Sequence, residues 1–259
     1  MARILAIHAH PDDIEILAAG TLAVLAGAGQ QISIATVTGG DLGSGEGTPE
    51  ETSRIRQAEA ARAAALIGAQ YRCGGVPDLG VFNNDPTRRT VTELLRWAQA
   101  QIVLTASPAD YHPDHETVSQ LVRDACFAAS VPNYRSGEAP PLPAIPHLYF
   151  MDPIGGRDRE GRWTVPDFGA DVGAVFETKK AMLTCHASQH AWVARQHDVP
   201  DHVAAMEAWT RRRGRDFGIE MGEGFRQYRH HPYPRTPLLQ DLLGEALATP
   251  VDQPPRAAS

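Results

Sequence analysis

The first 40 residues carry an apolar run, a helical stretch and a second apolar run, and this order leaves the chain few folds to adopt. Residues 4–7 (ILAI) form a short run of buried-strand type. From about Asp13 the apolar residues Ile14, Leu17, Ala18, Leu22, Leu25 and Ala26 recur at helical steps, and Gly27 and Gly29 stop that helix. Residues 31–37 (QISIATV) then alternate and carry β-branched side chains, as a second strand does. A β-α-β unit of this size implies parallel pairing with a right-handed crossover. The expected fold class is α/β: a Rossmann-like, mostly parallel sheet with helices on both faces, plus a C-terminal α/β extension.

The rest of the chain repeats the pattern. A glycine-rich loop, residues 39–47, leads to Thr48-Pro49-Glu50-Glu51, a helix start with a capping threonine, proline at the first position and early acids. That helix runs to about Ile67, and residues 71–74 suggest a short third strand. Residues 90–100 predict a helix, 102–105 a strand and 116–129 another helix. Four prolines between 136 and 146 make a stiff connector, after which residues 147–151 resume a strand. Residues 155–163 suggest a hairpin, 174–176 a last short strand, 177–188 a helix, and the His-, Arg- and Trp-rich stretch 190–235 a helix near 202–213. A single domain is expected over 1–248, with a core to about 135, the connector 136–146 and a C-terminal part 147–248, followed by a disordered tail, 249–259.

Two segments bring the chemistry. Ala9-His10-Pro11-Asp12-Asp13 follows the first strand, and His112-Pro113-Asp114-His115 lies just beyond the strand at 102–105. In a parallel α/β sheet these strand ends are where an active site is built. Histidine and aspartate are ligands for a divalent metal and movers of protons. Pro11 fixes its own φ and keeps His10 out of helical conformation. Adjacent aspartates do not easily point the same way, so one can bind a metal while its neighbour faces the attacking water. In the second segment one histidine can complete a His/Asp/His set. The other can steady an oxyanion or protonate a leaving amine, and Asp114 can orient an imidazole. The plain alternative is that the aspartates only cap a helix and the histidines belong to turns.

Composition narrows the partners. The net charge of −7 argues against nucleic acid or an anionic membrane as partner. Three scattered cysteines, Cys73, Cys126 and Cys185, fit buried thiols better than a disulfide framework or a cysteine zinc site. With neither a signal-peptide pattern nor a long apolar stretch, a cytoplasmic location is expected.

The pair AHPDD and HPDH resembles the PIG-L (LmbE-like) family of zinc-dependent N-deacetylases, and the similarity extends from residue 4 to about 190. It includes the glycine-rich loop, Ile55-Arg56-x-x-Glu59, Pro77-Asp78 and Lys180 followed by His186-x-Ser188-Gln189. The resemblance implies removal of an acetyl or other acyl group from an N-acetylglucosamine-type sugar or conjugate. It implies one Zn2+ per chain, replaceable by other divalent metals, held by His10, Asp13 and His115. Asp12 would be the base that deprotonates zinc-bound water, and His112 would stabilise the oxyanion or assist the leaving amine. Arg56 and Asp78 match sugar-contacting positions; their plain alternatives are a surface pair of Arg56 with Glu59 and a turn residue after Pro77. Glu15 and Asp114 are expected to support the ligands from behind. Asp110 stands where some relatives carry tyrosine, with Tyr111 adjacent. Family members are often oligomeric, so a homo-oligomer is allowed.

Among the other histidines, His8 is expected to be a neighbour of the site and not a ligand. His186 and Gln189 are candidates to line it, whereas His190, His197, His202, His230 and His231 are expected in surface or packing roles. Competing readings are a non-catalytic metal- or sugar-binding protein, an amidohydrolase for a non-sugar amide, and a nucleotide-dependent oxidoreductase. The last would require GxGxxG after strand one, where this chain has AHPDD.

Overall fold

The computed structural model describes residues 1–197 and 201–251; most of the expected tail, from 252, lies outside the described residues, as does the side chain of His197. In chain order the elements are β1 (Arg3–His8), α1 (Asp13–Leu17), α2 (Ala19–Gly27), β2 (Gln31–Thr38), α3 (Pro49–Ala65), β3 (Gln70–Val76), α4 (Asp85–Trp97), β4 (Ile102–Thr105) and α5 (Pro113–Ala129). After a stretch without helix or strand, 131–146, come β5 (His147–Met151), β6 (Phe168–Asp171), α6 (Phe176–Thr184), α7 (Ala187–His197), α8 (His202–Phe217), β7 (Gly222–Gln227), α9 (Leu238–Leu243) and β8 (Leu247–Ala248).

One eight-stranded sheet runs through both halves in the order β3-β2-β1-β4-β5-β7-β6-β8. The first five strands are parallel and the last three antiparallel. β1 is central, and its period of two serves two cores at once. Ile4 and Ala6 pack with α1, α2, α3, α6, α8 and α9 on one face, Leu5 and Ile7 with α4 and α5 on the other. Ile4, Leu5 and Ile7 are almost fully buried and contribute about 1.5–3 kcal/mol each. Because β2 lies on one side of β1 and β4 on the other, the chain switches direction there. The crevice at the carboxyl ends of β1 and β4 is the switch point of the sheet.

Several expectations shift. α3 starts as predicted, with a full capping box between Thr48 and Glu51. α4 begins earlier than 90 because the Asn84 side chain accepts from Thr87 N and caps it. Residues 155–163 form a minimal hairpin, one bridge between Arg157 and Trp163. The strand predicted at 174–176 is a helical turn instead, and the strand stands earlier, as β6. The helix predicted from Asp13 to Ala26 is two helices broken at Ala18 (φ −144°, ψ 0°). The break is held by a buried pair from distant parts of the chain. Glu223 on β7 accepts from Gly20 N (2.9 Å), Thr21 N (2.7 Å) and Thr21 Oγ1 (2.6 Å), capping α2, while Lys179 on α6 donates to Glu223 (2.5 Å) and to Ile16 O (2.7 Å). The break leaves α1 as little more than one turn, which carries Asp13 at the end of β1.

Candidate metal centre and active site

Asp12 sits in the turn between β1 and α1 with φ 107°, a left-handed conformation that is costly for a residue with a Cβ. This strain turns the two neighbouring carboxylates apart. Asp12 heads α1 yet makes no capping hydrogen bond with its side chain, so capping does not account for it. Its Oδ1 lies 3.3 Å from Arg56 Nη2. Asp13 turns inward: its Oδ2 accepts from His10 N (2.8 Å) and meets His8 Nδ1 at 2.6 Å.

β4 and the loop after it deliver the second motif. His112 caps α5 and Pro113 occupies the first turn. Three ligand groups then converge from the two strand ends. His10 Nδ1 and His115 Nε2 are 3.2 Å apart; Asp13 presents Oδ2 3.3 Å from the first and Oδ1 3.4 Å from the second. Ligands of a tetrahedral zinc, at about 2.0–2.1 Å, lie about 3.3–3.4 Å from one another. The donor set and spacing therefore fit a divalent transition metal. His10, His112 and His115 also approach closely enough to share an ion, as do His8, Asp13 and His115. His8 Nδ1 is paired with Asp13 Oδ2 and His112 Nδ1 accepts from Asp114 N, whereas His10 Nδ1, His115 Nε2 and Asp13 Oδ1 face one another across the centre of the cluster.

Both histidines of this trio are backed by carboxylates. His115 Nδ1 lies 3.1 Å from Asp110 Oδ1, and His10 Nε2 lies 3.3 Å from Asp114 Oδ2. Such partners set the tautomer and orientation of a ligand imidazole. Asp110 is itself fixed, accepting from His112 N (3.2 Å) and Ile154 N (3.0 Å), and Asp114 accepts from Leu79 N (2.8 Å). Asp110, noted in the sequence only for the tyrosine it replaces, is thus the support of His115. The legible signal was an acid five residues before a ligand histidine.

In the metal-free state burial disfavours imidazolium, but hydrogen bonds with Asp114 and Asp13 outweigh it and raise His10 to about 9. Burial likewise opposes the charge on His115, and Asp13 and Asp110 raise it to about 10. Asp13 is held well below the usual carboxylate range, because His115 and His8 outweigh its own burial. Asp12 moves the other way: burial and the Asp13 charge, opposed by Arg56, bring it to about 6. His112 drops to about 4 through burial and the neighbouring His10 and His115. Its Nδ1 accepts a hydrogen bond from Asp114 N (3.2 Å), so the single proton of the neutral ring is on Nε2.

A cavity of about 850 Å3 opens over these groups and is lined by His10, Asp12, Asp13, His112 and His115 together with Arg56 and Asp78. Arg56 is buried and not a surface partner of Glu59, which instead receives Ser188 N and Oγ. Its Nη2 donates to Pro11 O (2.6 Å) and its Nη1 to Gly40 O (3.1 Å). The guanidinium lies so near Gly40 and Gly43 that a Cβ on either would collide with it, so the glycines of the loop make room for this clamp. Asp78 Oδ2 accepts from Leu42 N (3.0 Å), while Oδ1 is buried without a hydrogen-bond partner. Among the described residues Glu15 pairs with His186 at 3.3 Å and not with the three convergent groups, and His186 is fully buried and outside the lining of this cavity. Gln189 does line the cavity, with Tyr111, Trp192, His202, Met206 and Trp209. His8 is buried beside the site, as a neighbour.

Residues 5–126 match the PIG-L family, described as GlcNAc-PI de-N-acetylase. That match spans both the His10–Asp13 and the His112–His115 segments. The chain is 27% identical over 197 residues to the 4-oxalmesaconate hydratase of Pseudomonas putida, covering 73% of this chain and 74% of that one. It is 26% identical over 200 residues to the diacetylchitobiose deacetylase of Thermococcus kodakarensis, covering 72% and 70%. Among solved structures, a conserved protein of Thermus thermophilus superposes with a TM-score of 0.73 at 28% identity, over 91% of this chain and all of that one. The mixed α/β fold is that of this PIG-L group. No helix among the described residues is long and apolar enough to cross a membrane.

Proposed function

We propose that this PIG-L protein is a metal-dependent N-deacetylase acting on an N-acetylglucosamine-type sugar or conjugate, with zinc as its metal. The observation that carries the proposal is the spaced trio His10, Asp13 and His115 in one cavity with a carboxylate outside the trio, Asp12, steadied by Arg56, and a neutral imidazole, His112. The bound metal would supply a Lewis acid that activates water and polarises the acyl carbonyl. Asp12, poised at about 6, is ionised at neutral pH and takes the proton of the attacking water. His112, neutral with its proton on Nε2, donates that N–H to the oxyanion as the carbonyl becomes tetrahedral. Collapse of the tetrahedral carbon breaks the C–N bond, and the proton gathered by Asp12 passes to the departing amine, leaving acetate and the free amino sugar. Arg56 holds the Pro11–Asp12 turn in place, and Asp78 Oδ1, which makes no hydrogen bond and lies 4.0 Å from His10 Nε2, is the group offered to a sugar hydroxyl.

The Pseudomonas relative favours a second reading, hydration, since a base beside a metal also serves the addition of water. Its name denotes a carboxylate substrate, which an enzyme holds with unpaired cations. Among the described residues lining the cavity, Arg56 is the one arginine or lysine, and its Nη groups are engaged by Pro11, Asp12 and Gly40. The cavity wall favours the neutral amide. The test is amine release by zinc-loaded protein from N-acetylglucosamine conjugates, chitooligosaccharides and acylated thiol precursors, beside hydration of unsaturated dicarboxylates. Amine release supports the proposal; hydration without amine release refutes it.

A further inference from the structure

Away from the two motifs, α7 and the start of α8 bring together three side chains of metal-ligating type, one of which, His202, lines the cavity. His190, on α7, and His202, the first residue of α8, set their Nδ1 atoms 3.2 Å apart. The rings are tilted at 62° with centroids 5.3 Å apart, a T-shaped and not a stacked arrangement. The carboxylate of Asp201 joins them, and one ligand atom from each of the three lies within 4.8 Å of the others. Asp201 is fixed by its own helix, its Oδ1 accepting from Val203 N (2.9 Å) and Ala204 N (3.0 Å). His202 is buried and lines the catalytic cavity, while His190 and Asp201 are exposed, so an ion can enter from solvent.

We infer that His190, Asp201 and His202 form a second site for a divalent transition-metal cation, which inhibits when filled. Two imidazoles and a carboxylate suit zinc, copper, nickel or cobalt and not magnesium or calcium. The site is weaker than the first for visible reasons. Two of its ligands are exposed, its carboxylate already serves two helix amides, and among the described residues no carboxylate backs its histidines as Asp110 and Asp114 back His115 and His10. An ion there ties α7 to α8 and adds positive charge and bulk to the wall that a substrate must pass. The inference concerns this chain's own ligands and stands whichever reaction the first site performs.

The test is equilibrium dialysis of metal-free protein against graded Zn2+, with metal counted by elemental analysis, and parallel titration with Co2+ followed by its visible absorption. Wild type is expected to bind two ions per chain, the second at least tenfold weaker. His190→Ala, an exposed substitution, and Asp201→Asn, which retains the capping oxygen, are expected to keep the tight ion and lose the weak one. Excess Zn2+ should slow the wild-type reaction and leave that of His190→Ala unaffected. Saturation of wild type at one ion, as a plain imidazole–imidazole hydrogen bond would give, overturns the inference. So does a second ion retained by both variants.

Discussion

Asp110→Asn changes one atom of the buried carboxylate behind His115, and the geometry sets the cost. Asp110 Oδ1 faces His115 Nδ1 at 3.1 Å and accepts from His112 N, while Oδ2 accepts from Ile154 N. An asparagine offers one acceptor and one donor for these three groups. If its oxygen serves His115 and His112, its NH2 points at the Ile154 N–H, and two donors are left facing each other at about 1–3 kcal/mol. If it flips, the NH2 faces His115 Nδ1 and forces the ring proton onto Nε2, the atom that faces the metal position. Either arrangement weakens the site, and loss of such a supporting carboxylate costs about 10–100-fold in metal affinity. The assay is competition of the loaded protein with a chelator of known affinity, with thermal unfolding of the metal-free protein as control. The reasoning is refuted if Asp110→Asn holds its metal within about twofold of wild type while folding normally.

Other outcomes follow from the same contacts. His112→Asn keeps a good helix cap but removes the Nε2–H, so kcat should fall about 100- to 1,000-fold with metal content unchanged, as steady-state kinetics and metal analysis would show. Because His10 and His115 stand at about 9 and about 10 without metal, above the usual 6.5, they carry protons at pH 7. Metal uptake should therefore release at least one proton and strengthen as pH rises; calorimetry in buffers of different ionisation enthalpy measures this, and zero release contradicts it. Lys179→Met leaves the Glu223 charge buried without its cation and Ile16 O without its donor, and should lower stability by about 3–5 kcal/mol in urea unfolding. A loss under about 1 kcal/mol would mean that the pair does not hold the α1–α2 break.

The reading of the sequence succeeded where local pattern and tertiary position coincide. The central strand, its crossover and the two proline-centred motifs were legible because a parallel sheet leaves its strand ends in only one place. What escaped depends on partners far along the chain. Nothing near Asp110 announces that its carboxylate meets His115, and Glu223 caps a helix some 200 residues earlier. β7 has the pattern GEGFRQ, a poor strand by composition. Its glycines are needed for close approach, because a Cβ on Gly222 would strike Gly214 of α8 and one on Gly224 would strike Asp152. The cluster of His190 and His202 stayed hidden for the same reason: its members meet only once α7 packs on α8. Nor do the motifs separate deacetylation from hydration, since both need a base beside a metal; the wall of the cavity carries that distinction.

The central claim is that His10, Asp13 and His115 hold the metal while Asp12 does the proton transfer. It is tested most directly by Asp12→Asn in zinc-loaded protein, with metal content and amine release measured on the same sample. The account predicts one tight ion retained and amine release reduced about 100- to 10,000-fold. Undiminished amine release with the metal in place would contradict it.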